Sequence, residues 1–367
     1  MATITAEDRT ALTDSLRRLL ADHSAEADVR RVMETPEGYD PALWRQLAEM
    51  GVVGLIVEEA FGGVGAGPVE LERVMEEAGG ALLCSPLISS GVLAAALLQA
   101  LGDEEAKTRL LPGIAGGQVI VTAALTGPNG GWTAADVAVT ADAGDRMSGV
   151  AGFVTHGQIA QAILVLARTP DGLAVYEAAP GAAGLAIKPL PTFDHTLRLA
   201  ELSFAATPAR RLAGARPAWE AVEQALDVVQ VALAGEEAGG ARRALDMAVD
   251  YAKVRAQFGR LIGSFQAIKH MAADLLLETE SAISAARHAA QSLADGAPDA
   301  RSAIALAAFA CADAFNQVAA TNIQMHGGIA FTWAHPAHLY LRRARADAQL
   351  FGASAFHRER FLRELGA

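Results

Sequence analysis

The 367 residues include only two cysteines, Cys84 and Cys311, far apart and in no metal-ligand spacing. That excludes a disulfide framework and a cysteine-built metal centre, and leaves buried free thiols of a reducing compartment. Positive charge is also scarce. Lys and Arg number 30 against 42 Asp and Glu, a formal net charge of −12. Such a chain is a poor partner for nucleic acid or an anionic membrane, and an anionic ligand would need a local basic patch. The opening MATITAEDRTALTD has neither a basic nor an apolar segment of the kind a signal peptide needs. The apolar run from Val92 to Leu101 is too short to span a bilayer. These absences predict a soluble, cytoplasmic protein with no nucleic-acid partner, no membrane insertion and no metal.

Hydrophobic residues make up 52% of the chain, enough for a sizeable core in two or three domains or one large unit. Residues 4–118 read mostly as helices. Leu12, Leu16, Leu19 and Leu20 share one face of a first helix, and Pro41 opens a second that Gly51 stops. The glycine-rich stretch 52–67 matches neither a dinucleotide fingerprint nor a P-loop with its lysine. Helical patterns continue over 69–79, 88–100 and 103–115. Beyond Gly116-Gly117 come short runs at 119–125, 134–141, 146–155, 162–167, 172–177 and 198–204, punctuated by Gly, Pro and Asp. That rhythm predicts an antiparallel barrel or sandwich and excludes a Rossmann unit. From about 217 the helical pattern returns. Residues 218–254 form one amphipathic stretch roughly 55 Å long at about 1.5 Å per residue. Gly235, Gly239 and Gly240 inside it call for the close approach of another helix backbone or of a ligand, since each Gly costs a helix about 1 kcal/mol. The domains expected are 1–117, 118–214 and 215–367.

Residues 251–270 read YAKVRAQFGRLIGSFQAIKH. Arg255, Gln257, Phe258, Phe265 and Gln266 gather a fixed cation, amides and rings around a Gly-containing corner. That set suits a flat, phosphate-bearing ligand; it equally suits an ordinary helical hairpin with a solvated Arg and a Phe in the core. Gln324-Met325-His326-Gly327-Gly328 ends a later helix, where paired glycines permit either backbone approach to a ligand or a plain C-cap.

The string R-x-Q-F-G-x-x-I-G-x-F-Q-A-I-K-H resembles the acyl-CoA dehydrogenase family, and the resemblance covers nearly the whole chain. It implies an acyl-CoA dehydrogenase-like fold: an N-terminal all-α domain, a central antiparallel β-barrel or sandwich domain and a C-terminal four-helix bundle. The loop around 57–65 is similar to the family's P-E-E-x-G-G-x-G, with Val57 for Pro. In the family the corner at 255–266 and the Q-x-x-G-G turn at 324–328 are donated across a dimer interface to the pyrophosphate and adenosine half of a neighbour's FAD. Here the trailing part of that turn is altered: Ala330 stands for Gly and Ala334 for an acid. Leu125-Thr126 opens a loop resembling the family's own-flavin loop, but Gly127, Trp132 and Thr133 replace its Glu, Ser and Asp. Phe153-Val154-Thr155 occupies the place of the family's flavin-facing W-I-T. A Pro-Gly-rich hairpin loop accounts for 124–132 equally well.

Dehydrogenation of an acyl-CoA needs a carboxylate base with a pKa raised toward working pH. The family puts that Glu at one of two places, which hold Phe351 and Val229 here, and neither can accept a proton. Glu236, seven residues after Val229 and on its face, is a candidate displaced base; a structural Glu paired to an Arg is the plainer reading, and Asp227 is a weaker candidate. Arg342, Arg343 and Arg345 form a basic patch that serves either solvation, an interface or CoA phosphates. The resemblance therefore implies an FAD-dependent acyl-CoA dehydrogenase subunit without its usual base. It would complete a sister's FAD site in a hetero-oligomer built as a dimer of dimers, with electron-transfer flavoprotein as acceptor and a bulky, steroid-like acyl-CoA as substrate. The alternatives are a homo-oligomeric flavoenzyme with a displaced base, a flavin-poor scaffold and a flavin monooxygenase.

Overall fold

The structure, a computed structural model, describes residues 4–366. Helices α1 (Ala6–His23), α2 (Glu26–Met33), α3 (Pro41–Glu49), α4 (Pro68–Gly80), α5 (Ala95–Leu101) and α6 (Glu104–Ala115) come first. Strands β1 (Val121–Ala124), β2 (Thr140–Ala141), β3 (Arg146–Thr155), β4 (Ala162–Thr169), β5 (Gly172–Ala178), β6 (Leu185–Leu190), β7 (Leu199–Pro208) and β8 (Arg210–Arg211) follow. The chain then runs through α7 (Ala218–Val254), the short strands β9 (Ala256–Gln257) and β10 (Arg260–Leu261), α8 (Gln266–Ala294), α9 (Ala300–His326), α10 (Ala337–Asp347) and α11 (Ser354–Glu364). This order is that of the acyl-CoA dehydrogenase fold: a helical N-terminal part, a central curled sheet and a helical C-terminal part.

The segments fold into two compact units. One takes Arg31–Gly67 and Cys84–Val229; the other takes Thr5–Arg30, Pro68–Leu83 and the chain from Gln230 onward. In the first unit, the Asp40 side chain caps the amides of Ala42 and Leu43, with Pro41 at the first helical position of α3. α2 has no counterpart in the sequence reading. The glycine-rich stretch 52–67 closes on itself: the Gly65 amide donates to Val57 O at 2.8 Å, and a Cβ on Gly63 would sit 2.1 Å from the same oxygen.

The sheet runs β6-β7-β3-β2-β4-β5-β8, with β1 pairing β4. It is not wholly antiparallel, because β1 and β2 both lie parallel to β4. β4 is buried along six consecutive residues, Ala162 to Ala167, which is why its sequence is an unbroken apolar run rather than an alternation. Met147, Ile163, Tyr176, Leu202 and Phe204 fill the core beside it. β6 escaped the sequence reading because it is a half-exposed edge strand carrying Lys188 and Pro189.

In the second unit α1 begins with a capping box between Thr5 and Asp8 and buries Leu16 and Leu20. The part of α7 in this unit is not amphipathic at first, being buried at every position from Gln230 to Ala241. Val231, Ala234 and Ala238 pack against Ala282, Ile283 and Ala286 of α8 and against Ile304, Ala307 and Cys311 of α9. The glycines are explained by α4. A Cβ on Gly235 would lie 2.5 Å from Glu72 O, one on Gly239 1.8 Å from Glu76 O, and one on Gly79 1.9 Å from Glu236 O. The two helices cross backbone to backbone, so a helix and not a ligand is what approaches. Gly240 instead makes room for the Phe315 ring. The segment Ala300–Phe331 is apolar and long enough to cross a membrane by length and composition, with a mean hydropathy of 1.5. It exceeds the run at Val92–Leu101 singled out from the sequence, but α9 packs against α8, α10 and α11 and serves as core.

Candidate functional site

The corner after α7 is a β-hairpin rather than a simple helix junction. Gln257 pairs with Arg260 and Ala256 with Leu261, leaving Phe258 and Gly259 as a two-residue turn. Both have positive φ, 53° and 77°, the signature of a type I′ turn, in which Asn-Gly is the favoured pair. Phe258 therefore sits in the left-handed region, which costs an L-residue roughly 1–2 kcal/mol, with its ring 92% exposed. The Phe258 and Phe265 rings meet edge to face at 6.2 Å, and the Arg260 guanidinium lies 3.9 Å from the Phe265 centroid. The hairpin is anchored at its root: the Ile262 amide donates to Arg255 O at 2.8 Å, and the Arg255 amide to Tyr251 O at 2.9 Å. Gly263 is required because a Cβ there would stand 2.7 Å from Ala252 O. The side chains of Arg255, Gln257 and Gln266 are exposed and Phe265 half-buried.

At the end of α9 the Gly327 amide closes on Ile323 O, with Gly327 at φ 69°. A Cβ at Gly327 or Gly328 would meet nothing within 4 Å, so both backbones are open to approach. Gln324 is exposed, whereas Met325 and His326 are 6% and 7% exposed. These last two, expected among the cofactor contacts, face inward and support the turn instead. The His326 ring stacks on Tyr251 at 4.2 Å and 24° and meets His335 at 4.4 Å. Its Nδ1 bonds Asn322 O at 2.9 Å, which makes that nitrogen the donor.

The loop at 125–132 is closed in a different way. The Thr126 hydroxyl donates to Gly131 O, and the Gly127 amide to Asp136 O at 3.0 Å. Leu125 and Thr126 are 7% and 3% exposed. Phe153 lies in a bulge where β3 shifts register against β7, at φ 53°, and its ring lies over Gly130, where a Cβ would be 3.0 Å away. The Thr155 hydroxyl is buried with no hydrogen-bond partner among the described residues. The donors that could face a flavin ring are therefore turned into the loop or enclosed.

The two positions where a base was sought are apolar and buried, Val229 at 0% and Phe351 at 3%. Phe351 has φ 56°, and its carbonyl accepts from Gln230 Nε2 at 3.1 Å. Glu236 forms a buried ion pair with Arg343, so that member of the basic patch is a structural partner. The unexpected group is Glu237. It is 1% exposed, and neither carboxylate oxygen has a hydrogen-bond partner among the described residues. Burial first, then Asp347, Glu236 and Asp313, push its carboxyl well above the usual range. Glu72 on α4 is likewise pushed up to about 7 by burial and then by Glu76, against the pull of Arg73 and Arg287. A cavity of about 640 Å³ between α1, α2, α4, α7 and α10 is lined by none of the residues named from the sequence as candidate catalytic or cofactor-binding groups.

Helices, a curled sheet and a helical bundle bearing an exposed Arg–Phe hairpin define a class. Residues 6–118 match the acyl-CoA dehydrogenase N-terminal domain and residues 219–366 the C-terminal domain, and the chain belongs to that FAD-dependent family of oxidoreductases. It is 35% identical over 350 residues to the acyl-CoA dehydrogenase IpdE2 of Mycobacterium tuberculosis, covering 94% of this chain and 93% of that one. Among solved structures it superimposes on a variant of the Tcur3481-Tcur3483 steroid ACAD with a TM-score of 0.89 and 31% identity, covering 98% of both chains. The ChsE4-ChsE5 complex from Mycobacterium tuberculosis matches at TM-score 0.90 and 29% identity, covering 100% of this chain and 99% of the other.

Proposed function

We propose that this chain is the base-lacking subunit of a heteromeric acyl-CoA dehydrogenase and that it completes the FAD site of a sister subunit. The observation that carries the reading is a contrast. The hairpin and the Gly327-Gly328 turn offer open, exposed groups, while the 125–132 loop has turned its own groups inward. A strained phenylalanine whose ring is largely in solvent, touching only the edge of Phe265, returns little to this chain, and such strain is kept where a ligand or partner uses it.

When bound, FAD accepts the hydride released as an acyl-CoA thioester is dehydrogenated between its α and β carbons. The exposed edge fits the pyrophosphate and adenosine half of that cofactor. The Arg255 guanidinium would pair with the pyrophosphate, and the exposed Phe258 ring would offer a stacking face to the adenosine. Gln257, Gln266 and Gln324 supply amide donors and acceptors, and Gly327-Gly328 lets the backbone come close. The sister supplies the flavin-ring loop and the carboxylate that removes the α-proton, because Val229 and Phe351 cannot.

The steroid ACAD and the ChsE4-ChsE5 complex among the similar structures support a bulky acyl-CoA substrate and a hetero-oligomer, here taken as a dimer of dimers. Electron-transfer flavoprotein is the acceptor and the cytoplasm the compartment in this reading. FAD per chain, measured for the chain alone and co-expressed with a sister subunit, tests it. Stoichiometric flavin and turnover appear only in the mixed oligomer; full occupancy and turnover by the lone chain overturn the proposal. Absence of flavin from both preparations would favour the scaffold alternative. The displaced-base alternative is disfavoured by the Glu236–Arg343 ion pair.

A further inference from the structure

From Leu261 to Gly327 the hairpin and the glycine turn lie 66 residues apart in sequence, yet an ADP-like ligand must meet both at once. What joins them is a column of rings. Tyr251 sits one helical turn before Arg255, and its carbonyl accepts from the Arg255 amide. Its ring stacks on His326, the residue immediately before Gly327. His326 in turn meets His335 on the segment that leaves the turn, and His335 O accepts from His338 Nδ1 at 2.7 Å. His338 packs edge-on against Trp333 at 4.7 Å, and the Arg342 guanidinium lies 4.9 Å from that indole.

We propose that the Tyr251–His326–His335 stack is the clasp that holds the hairpin and the glycine turn as one recognition edge, with His326 its positioning residue, and that protonation of its imidazoles opens the clasp and frees the partner's flavin. This inference deepens the function proposed above and rests on it.

The charges around the clasp make the direction of the switch definite. His326 faces Tyr251 from α7, Asn322 O from its own helix and His335 from the following segment. His335 feels His326, His338, and Glu26 and Arg30 of α2; His338 feels Arg30, Arg342 and Glu26. The one carboxylate in that set, Glu26, is paired with Arg30 at 2.8 Å. A first proton finds little compensation, and a second would put two cations at ring contact in a poorly hydrated place. Burial accordingly holds His326, His335 and His338 below the ordinary imidazole range. A depressed imidazole contributes stability above its unfolded value near 6.5, and that stability is lost as pH falls through the lower folded value. The clasp is therefore closed at neutral pH and opens on acidification.

Two measurements test this, one on the clasp and one on the reading beneath it. The first is amide hydrogen exchange of residues 324–336 in the full chain, corrected for the intrinsic pH dependence, at about pH 7.5 and about pH 5.5. Wild type should lose ~10-fold or more of its protection on acidification. In His326→Phe, which keeps a stacking ring but cannot titrate, the loss should be several-fold smaller. His326→Gln, which keeps a donor for Asn322 O, should also flatten the profile, so that a folding defect of one variant leaves the other to decide. Equal pH dependence in wild type and both variants overturns the clasp. The second is FAD release from the mixed oligomer over the same pH range. Release that follows the exchange profile in wild type and flattens in the His326 variants supports the inference; release that ignores pH while exchange changes overturns its last step. An Arg255→Ala oligomer that keeps its FAD at neutral pH would overturn the donated-edge reading itself, independently of either pH profile.

Discussion

The guanidinium of Arg343 on α10 donates to the carboxylate of Glu236 on α7, both nearly inaccessible to solvent, with side-chain exposures of 5% and 9%. The pair makes Glu236 a structural residue of the bundle. Glu236→Gln removes the charged acceptor of the buried Arg343 guanidinium, and should cost about 3–5 kcal/mol. Urea denaturation checks it. A double change of both residues to leucine should recover most of that loss, because a packed apolar pair often replaces a buried ion pair at little cost. Undiminished stability in Glu236→Gln, together with abolished turnover of the mixed oligomer, would return Glu236 to the role of a base.

Glu237 predicts the opposite sign. Its folded pKa lies well above the unfolded one, so the stability it permits is fully present below the unfolded value and drains away as pH rises. Replacing Glu237 with methionine removes the group that must stay protonated. The variant should be more stable than wild type by about 1–3 kcal/mol at alkaline pH, the cost of an unpaired buried polar group. The gap should narrow toward pH 5. Thermal melts across that range measure it, and Glu72→Gln should show a weaker trend that begins near the unfolded carboxyl value and levels off above about pH 7.

Gly239→Ala places a methyl 1.8 Å from Glu76 O, where only movement of a helix can relieve the clash. A loss of about 2–4 kcal/mol is expected. Gly328→Ala meets open space and should leave stability within about 1 kcal/mol of wild type. Chemical denaturation of the two side by side separates backbone crossing from generic glycine effects.

Phe258→Asn gives the type I′ turn its preferred first residue. The chain's own stability should stay level or rise by up to about 1 kcal/mol. Retention of FAD by the mixed oligomer should fall about ten- to thirty-fold, as for loss of an aromatic anchor. Flavin absorbance after gel filtration reports the second effect, and unchanged retention would count against the hairpin as a cofactor contact.

Much of the helical frame was legible, because period and punctuation are local. α7 spans the 218–254 stretch that the returning helical pattern marks out. What was not legible depended on residues distant in sequence. Gly235 and Gly239 announced a close approach, but only the position of α4, about 160 residues earlier, reveals that Glu72 and Glu76 carbonyls are what approach. The parallel pairing of β1 with β4 leaves no period in either strand. The hairpin at 256–261 was missed because its turn carries Phe where Asn is the usual signal, so the residue that hides the turn is the one exposed for use. Met325 and His326 were picked by motif position, yet their burial follows from how α9 meets Tyr251 and His335. Glu236 and Glu237 look alike in sequence; only the placement of Arg343 tells them apart.

The crossing of α4 and α7 also governs how this chain can be altered. At Gly79, Gly235 and Gly239 the tolerance is narrower than the thickness of one methyl group, while at Gly328, at the far end of α9, it is generous. A library of random variants screened for solubility should therefore show three nearly silent columns in which only glycine survives, paired across the two helices. Those columns would mark a junction where the bundle can be neither loosened nor refilled, and any redesign of this subunit for a new partner must be built around it.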